Sequence, residues 1–306
     1  MTKNALASYE ARTPQQECTT CNVCDTPCLF DNALEKALVR SNILKFKNNA
    51  FTVWRCNACG SLHSKEIVDL AHYYKHYPLK NHVLNFPTRL SYRNRLIQLK
   101  KHRLQKKHSL LDYGCGTGLF VKYLKEKGFA NSFGFDSFVD EYADSALLKL
   151  RYDIVTAQDV IEHTESPASF LIDMANLAKN NGLVVIGTPK ADFISLNPKK
   201  YFAQELHQPY HRHILSKKAL LELAIKANLK LVGSYNRFYF DTLCPGINTR
   251  FLWHYANIND GIFDVLVEPP KFSQLITNPG LLWDALTGYF FPPDTNMMLI
   301  FRKSEP

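Results

Sequence analysis

Two pairs of cysteines are the side chains whose spacing first points to chemistry. "CNVC" supplies Cys21 and Cys24, and "CNAC" supplies Cys56 and Cys59, with 31 residues between the pairs. A CxxC turn aims two thiolates at one point, and two such turns complete a tetrahedral sulfur site suited to zinc. Four thiolates leave no position for water, so the expected zinc is structural and contributes to folding. Cys18 forms a further CxxC pair with Cys21, and Cys28 could replace a ligand. Cys21 and Cys24 are preferred, because Cys18 falls in a polar tail expected to fray. Six of the eight cysteines precede residue 60, which in a cytosolic chain favours metal over disulfides.

The stretch "LLDYGCGTGLF", Leu110 to Phe120, sets an acid at Asp112 and glycines at 114, 116 and 118. A dinucleotide fingerprint needs its third glycine, or an alanine, where Leu119 stands, so a pyrophosphate is disfavoured. The GxGxG pattern still lets a ligand approach the backbone. Asp136 lies eighteen residues beyond Gly118 at a strand end, where a carboxylate can accept from both hydroxyls of a ribose. A nucleoside without phosphate, carrying a cationic, amino-acid-like tail, fits these features.

The elements that must position these residues alternate from Ser109 onward. "SLLDYG", "NSFGFD", "YDIVTAQD" and "LVVIGTP" read as strands; "GLFVKYLKEKG" reads as a helix ending at Gly128 and "SPASFLIDMANLAKNNG" as a capped helix ending at Gly182. This is an α/β chain with a doubly wound, parallel, Rossmann-like sheet. Ligands on such sheets bind outside the carboxyl ends of the strands. Asp112 to Gly118, Asp136, Gln158 with Asp159, and Thr188 fall at that edge. After Pro189 a long irregular stretch, of the kind that carries function, brings Glu205, His207, Tyr210, His211 and His213. The chain divides into a zinc-ribbon module (1–65), a helical connector or lid (66–108) and the α/β domain (109–306). An insertion, 242–294, between the last two strands forms a substrate wall or a dimer contact.

"LLDYGCGTGLF", "GFD", "YDIVTAQDVIEHTESPASFL" and "GLVVIGTP", in that order and behind a CxxC…CxxC module, resemble the motifs of class I S-adenosylmethionine-dependent methyltransferases. The resemblance implies a methyltransferase (EC 2.1.1.-) with S-adenosyl-L-methionine as cofactor. The loop Asp112, Tyr113, Gly114, Cys115, Gly116 and Gly118 would lie along the methionine part. Asp136 would hold the ribose, and Gln158 and Asp159 would line the methyl-donor end. Glu162 and His163 match the family's Glu-His pair, for which a helix-start hydrogen-bond arrangement is the alternative. "PYHRHILS" matches the family's proline, histidine and serine pattern. It makes His211 the candidate general base, or a residue tying the loop to the sheet, and Ser216 a helix N-cap. Only 15 residues separate Asp136 from Tyr152, where the family fits a helix, a strand and an acid for adenine. Asp144 is the candidate for that contact, a surface turn acid being the alternative. Tyr73, Tyr74 and Tyr77 either close the site or pack in the core.

The formal net charge is +9, and the densest basic run is Arg95 to His108. It reads as a solvated helix face or an attractor of an anionic substrate. No run approaches the roughly 18 apolar residues of a membrane helix, and the first residues lack a signal-peptide core, so a cytoplasmic protein without a membrane partner is expected. The expected acceptor is a small molecule, methylated at a hydroxyl or at carbon: a sugar, nucleotide-sugar or secondary-metabolite intermediate. The rival is an RNA-binding or RNA-modifying protein that uses the ribbon and the basic surface. Against it, the ribbon is not especially basic and no "NPPY"-type motif follows the third strand.

Overall fold

The computed structural model describes residues 16–26, 28–197, 202–237 and 239–304. The first 15 residues, where the absence of a signal peptide was read, lie outside that range.

The N-terminal module is built on short strands: β1 (Gln16–Glu17), β2 (Lys36–Arg40), β3 (Ala50–Arg55), β4 (Leu62–Ser64) and β5 (Glu66–Ile67). β1 pairs with β5, and Cys18 donates its amide to the Lys65 carbonyl at 2.7 Å. Cys18 is therefore tied down, not frayed. The connector supplies α1 (Leu70–Tyr74) and α2 (Phe86–Lys101), which starts on an Asn85 cap.

The α/β domain then runs β6 (Leu110–Tyr113), α3 (Leu119–Glu126), β7 (Ser132–Phe135), β8 (Tyr152–Gln158), α4 (Pro167–Leu177), β9 (Ala178–Pro189), α5 (Ala203–Leu206), β10 (His213–Ile214), α6 (Lys217–Lys226) and β11 (Leu229–Tyr235). The insertion carries α7 (Thr249–Ile258), α8 (Phe272–Thr277) and α9 (Pro279–Thr287) before β12 (Asn296–Lys303). The main sheet has the order β11-β12-β9-β8-β6-β7. With helices packed on both of its faces it is a Rossmann-like α/β sheet. β7, β6, β8 and β9 are parallel, but β12 is antiparallel to both neighbours. The sheet is thus mixed where a wholly parallel one was expected. The reason is topological: the 242–294 insertion leaves and re-enters at the same edge of the sheet, so β12 must run back.

Strand alternation sends side chains to two cores. Leu110, Ile154, Val185 and Ile300 face α2 and α3. Leu111, Val155, Val184 and Leu299 face α4 and α6, where Cys21 and Trp54 of the N-terminal module join the same core. The helix expected to reach Gly182 stops at Leu177. Ala178 already pairs with Tyr152, and a bulge follows before Leu183 pairs with Ile154. A Cβ on Gly182 would press on the Lys179 and Asp153 carbonyls, so only glycine fits the bulge. Between β7 and β8 neither the family's helix nor its strand forms among the described residues. Two 3-10 turns, Asp140–Tyr142 and Ser145–Lys149, span the gap, leaving β7 at the sheet edge.

Candidate functional site

The glycine loop leaves β6 at the carboxyl edge of the sheet. Gly114, Gly116 and Gly118 all have positive φ, at 72°, 55° and 69°, which disfavours side chains. A Cβ at Gly114 would strike Val160 and one at Gly118 would strike Tyr142, whereas one at Gly116 would meet open space. Asp136 anchors this loop through Oδ2, which accepts from the Gly116 amide at 2.9 Å, while its Oδ1 accepts from the Phe138 amide of its own turn at 2.8 Å. Each oxygen keeps a lone pair for a further donor, the arrangement a ribose diol requires. Cys115 lies against Gly134, and burial raises its thiol pKa. Tyr113 turns its ring inward between Phe135 and Phe170, so its backbone alone serves the loop.

Asp112 is buried. Its Oδ1 accepts from Arg95 of α2 at 2.8 Å and from Thr156 Oγ1 at 2.7 Å. Arg95 also stacks over Phe120 at 3.9 Å, and its Nε has no hydrogen-bond partner among the described residues. Reading the basic run only as a surface missed Arg95. The available signal was its place on the buried stripe of α2 with Ser91 and Leu99. Tyr142, which lies over Gly118, was missed too because nothing local marks it. Asp144 is exposed and caps its own turn by accepting from the Ala146 amide, matching the surface-turn reading.

Gln158 ends β8 and Asp159 follows it. A side chain at Gly187 would collide with the Gln158 amide, so glycine lets that amide lie across β9. Asp159 has φ 55°, and burial pushes its carboxyl up to about 7 against the opposing pull of Gln158 and Arg95. Beyond it, Glu162 is fully buried. Its Oε2 accepts from Thr188 Oγ1 at 3.0 Å, while Oε1 has no hydrogen-bond partner among the described residues. Burial and the nearby Asp159 raise the Glu162 pKa well above the usual carboxylate range. His211 is buried with its Nδ1 2.7 Å from the Glu205 carbonyl. That contact fixes Nδ1 as the donor and leaves the lone pair on Nε2, 4.0 Å from Glu162 Oε1. Burial and the neighbouring His163 and His207 keep His211 neutral. His163 lies at 2.9 Å from the Tyr210 carbonyl and 3.3 Å from the Tyr74 hydroxyl, its pKa lowered to about 4 by burial. Tyr74 also packs on Phe138 at 5.0 Å, linking the Asp136 loop to His163. Tyr73 instead packs on Phe46 of the N-terminal module.

The loop carrying His211 is held from the N-terminal side. β10 pairs antiparallel with β4, in the sheet order β10-β4-β3-β2. His63 and His213 face each other with 3.0 Å between their Nδ1 atoms. Ser64 Oγ donates to Gln208 Oε1 at 2.9 Å, and Gln208 Nε2 donates to the His211 carbonyl at 2.9 Å. Ser216 caps α6 and its hydroxyl donates to the Cys59 carbonyl at 2.6 Å. His207 packs its ring 5.1 Å from that of His211 and sets its Nδ1 2.8 Å from Asn42 Oδ1.

The sulfurs of Cys21, Cys24, Cys56 and Cys59 lie within 4.8 Å of one another. The edges Cys21–Cys24, Cys21–Cys59 and Cys24–Cys56 measure 3.7, 3.8 and 3.8 Å. A tetrahedron of sulfurs about 2.3 Å from zinc has edges of about 3.8 Å, so the quartet fits that ion. Cys28 instead receives the Asn57 amide at 3.3 Å, and Cys18 points to the Thr20 carbonyl at 3.5 Å.

A family described as "Methyltransferase domain" matches residues 88–234, from α2 to β11. The chain is 30% identical over 101 residues to a ubiquinone biosynthesis O-methyltransferase of Rickettsia canadensis, covering 27% of this chain and 43% of that protein. It is 28% identical over 138 residues to the enzyme of the same name from Neisseria meningitidis serogroup C, covering 38% and 53%. The chain thus spans about half the length of these relatives. Among solved structures, a 1,6-didemethyltoxoflavin-N1-methyltransferase of Burkholderia thailandensis with bound S-adenosylhomocysteine is similar at TM-score 0.41 and 14% identity, covering 83% of this chain and 96% of that one.

Proposed function

We propose that this chain, whose residues 88–234 match a methyltransferase domain, transfers a methyl group from S-adenosylmethionine to a hydroxyl oxygen of a small molecule. The observation that carries the oxygen reading is the gap between Glu162 and His211. Their facing atoms are 4.0 Å apart, too far for a hydrogen bond, and Glu162 Oε1 has no hydrogen-bond partner among the described residues. A hydroxyl seated between them could accept from a protonated Glu162 and donate to His211 Nε2. The O-methyltransferase names of the relatives agree with that choice.

The cofactor supplies an electrophilic methyl on a sulfonium that is already a good leaving group. The protein's part is to hold the nucleophile in line and to remove its proton. Asp136 would hold the ribose, the open face of Gly116 would admit the chain of the methionine moiety, and Asp159 would face the sulfonium end. His211, held as the Nδ1–H tautomer by Glu205, would take the hydroxyl proton on Nε2. The four thiolates would hold a structural zinc, and the sheet it folds would keep the His211 loop in register.

Calorimetric titration with S-adenosylmethionine tests the cofactor. Asp136→Ala removes the ribose acceptor and the partner of two backbone amides, and should weaken binding about a hundredfold or more. Transfer of labelled methyl to a panel of catechols tests the oxygen. His211→Ala should leave the cofactor affinity unchanged and slow turnover about a hundredfold or more; unchanged turnover would remove His211 as the base.

A further inference from the structure

Two features without a part in the proposed methyl transfer meet on one side of the molecule. From Arg89 to His108 the chain carries eight Lys and Arg residues and no acid, and α2 presents most of that run. Arg89 pairs with Glu126 and Arg95 with Asp112; the other six have no carboxylate partner among the described residues. From Phe272 to Pro293, across α8, α9 and the turn that follows, the single charged side chain is Asp284. It is turned inward, to Arg250 at 2.7 Å and His254 at 2.8 Å. Outward lie Phe272, Ile276, Trp283, Leu286, Phe290 and Phe291, each 56–74% exposed. A folded chain seldom leaves so many large apolar side chains of one short segment in water without using them for an interaction. The two features join at a cavity of about 550 Å³ lined by Ile97 and Lys101 of α2 and by Arg237, Tyr289 and Pro292.

Exposed aromatic and aliphatic side chains bordered by unpaired cations match the interface of an anionic bilayer. There, aromatic rings sit at the acyl boundary and Lys and Arg contact lipid phosphates. A second copy of the chain is a poorer match. A two-fold interface sets a patch against itself, so the α2 cations would meet their own kind, with the neighbouring Glu126 already paired to Arg89. No helix among the described residues is long and apolar enough to cross a membrane, so the contact is a surface one.

We propose that α8, α9 and the basic face of α2 form one docking surface for an anionic membrane, with Trp283, Leu286, Phe290 and Phe291 entering the acyl boundary. The chain has three tryptophans. Trp54 is fully buried, Trp253 is half-buried and Trp283 is 60% exposed, so brominated lipid reports on Trp283.

The test incubates the full chain with vesicles of phosphatidylcholine containing about a third phosphatidylglycerol, and with pure phosphatidylcholine. Sedimentation and bromolipid quenching are the readouts. The anionic vesicles should bind the chain at least about tenfold better, with quenching that Trp283→Tyr removes. Leu286→Glu and Lys100→Glu/Lys101→Glu should each weaken binding about fivefold or more while their thermal melts match the parent. No binding of the folded chain to anionic vesicles overturns the proposal. So does a dimer in lipid-free solution that Leu286→Glu dissociates, since the patch then belongs to a second copy.

Discussion

The N-terminal module and the 242–294 insertion flank the same sheet and fall outside the 88–234 family match, yet they use their polar groups differently. The module turns them toward the site: β4 pairs with β10, His63 meets His213, and Ser64 and Cys59 hold Gln208 and Ser216. In the insertion, Asp284 of α9 turns inward to Arg250 and His254, and α8 and α9 show water an apolar face. A few buried hydrogen bonds let the first module govern geometry at a distance. The second is tied to the chain through its inner side, where Trp253 donates to Glu205 at 2.8 Å and Asp264 accepts from the Leu44 amide at 2.9 Å, while the outer faces of α8 and α9 stay in water.

The comparison breaks most visibly if the sulfur quartet is dismantled. Chelation, or Cys56→Ser, should release one zinc per chain and melt the module, since such metal binding is folding free energy. With the β4–β10 pairing gone, turnover should fall about a hundredfold, while Asp136 and the glycine loop still bind cofactor. Metal analysis with calorimetry checks both halves; cofactor affinity lost in parallel with turnover would show that the module does not act through the His211 loop alone.

Asp284→Ala is the matching cut in the insertion. It leaves Arg250 and His254 without their carboxylate and should cost about 2 kcal/mol in denaturant titration, with cofactor affinity unmoved. A change in cofactor affinity there would erase the distinction between the two regions.

A finer cut on the first side is His63→Ala, which removes one partner of His213. Turnover should drop about tenfold with unchanged cofactor affinity, and hydrogen exchange at residues 211–214 should quicken.

The smallest expected effect is on pH and concerns neither appendage. The Asp159 carboxyl, held near 7 by burial, must be ionised to favour a sulfonium. Binding lowers its pKa, so affinity for S-adenosylmethionine is full above about 7 and falls as pH drops through it, at most about tenfold per unit. S-adenosylhomocysteine, with a neutral sulfur, should show a flat profile. Equal profiles for the two ligands would place Asp159 away from the sulfur.

Much of this was legible residue by residue. GxGxG announces left-handed backbone at three positions, and Asp136 at the next strand end follows from the βαβ unit. Two CxxC turns announce a sulfur quartet whichever protein carries them. Other features were misread for physical reasons. The "AKNNG" stretch looked helical because helix propensity is local, whereas the pairing of Ala178 with Tyr152 that overrode it is not. The basic run looked like a solvated face because charge alone does not reveal that Arg95 is buried beneath the sheet edge against Asp112.

What the sequence determined by itself were features set within a few residues: the sulfur pairs, the glycine loop, and the alternation that sends Leu110 and Leu111 to opposite cores. Tertiary structure alone decided the partnerships between distant segments: Arg95 with Asp112 and Thr156, Glu162 across from His211, and β10 joined to the N-terminal sheet. Local geometry follows from backbone sterics and hydrophobic period, which spacing records. A long-range pair depends on how whole faces dock, and the residues that complete it carry no mark until they are buried together.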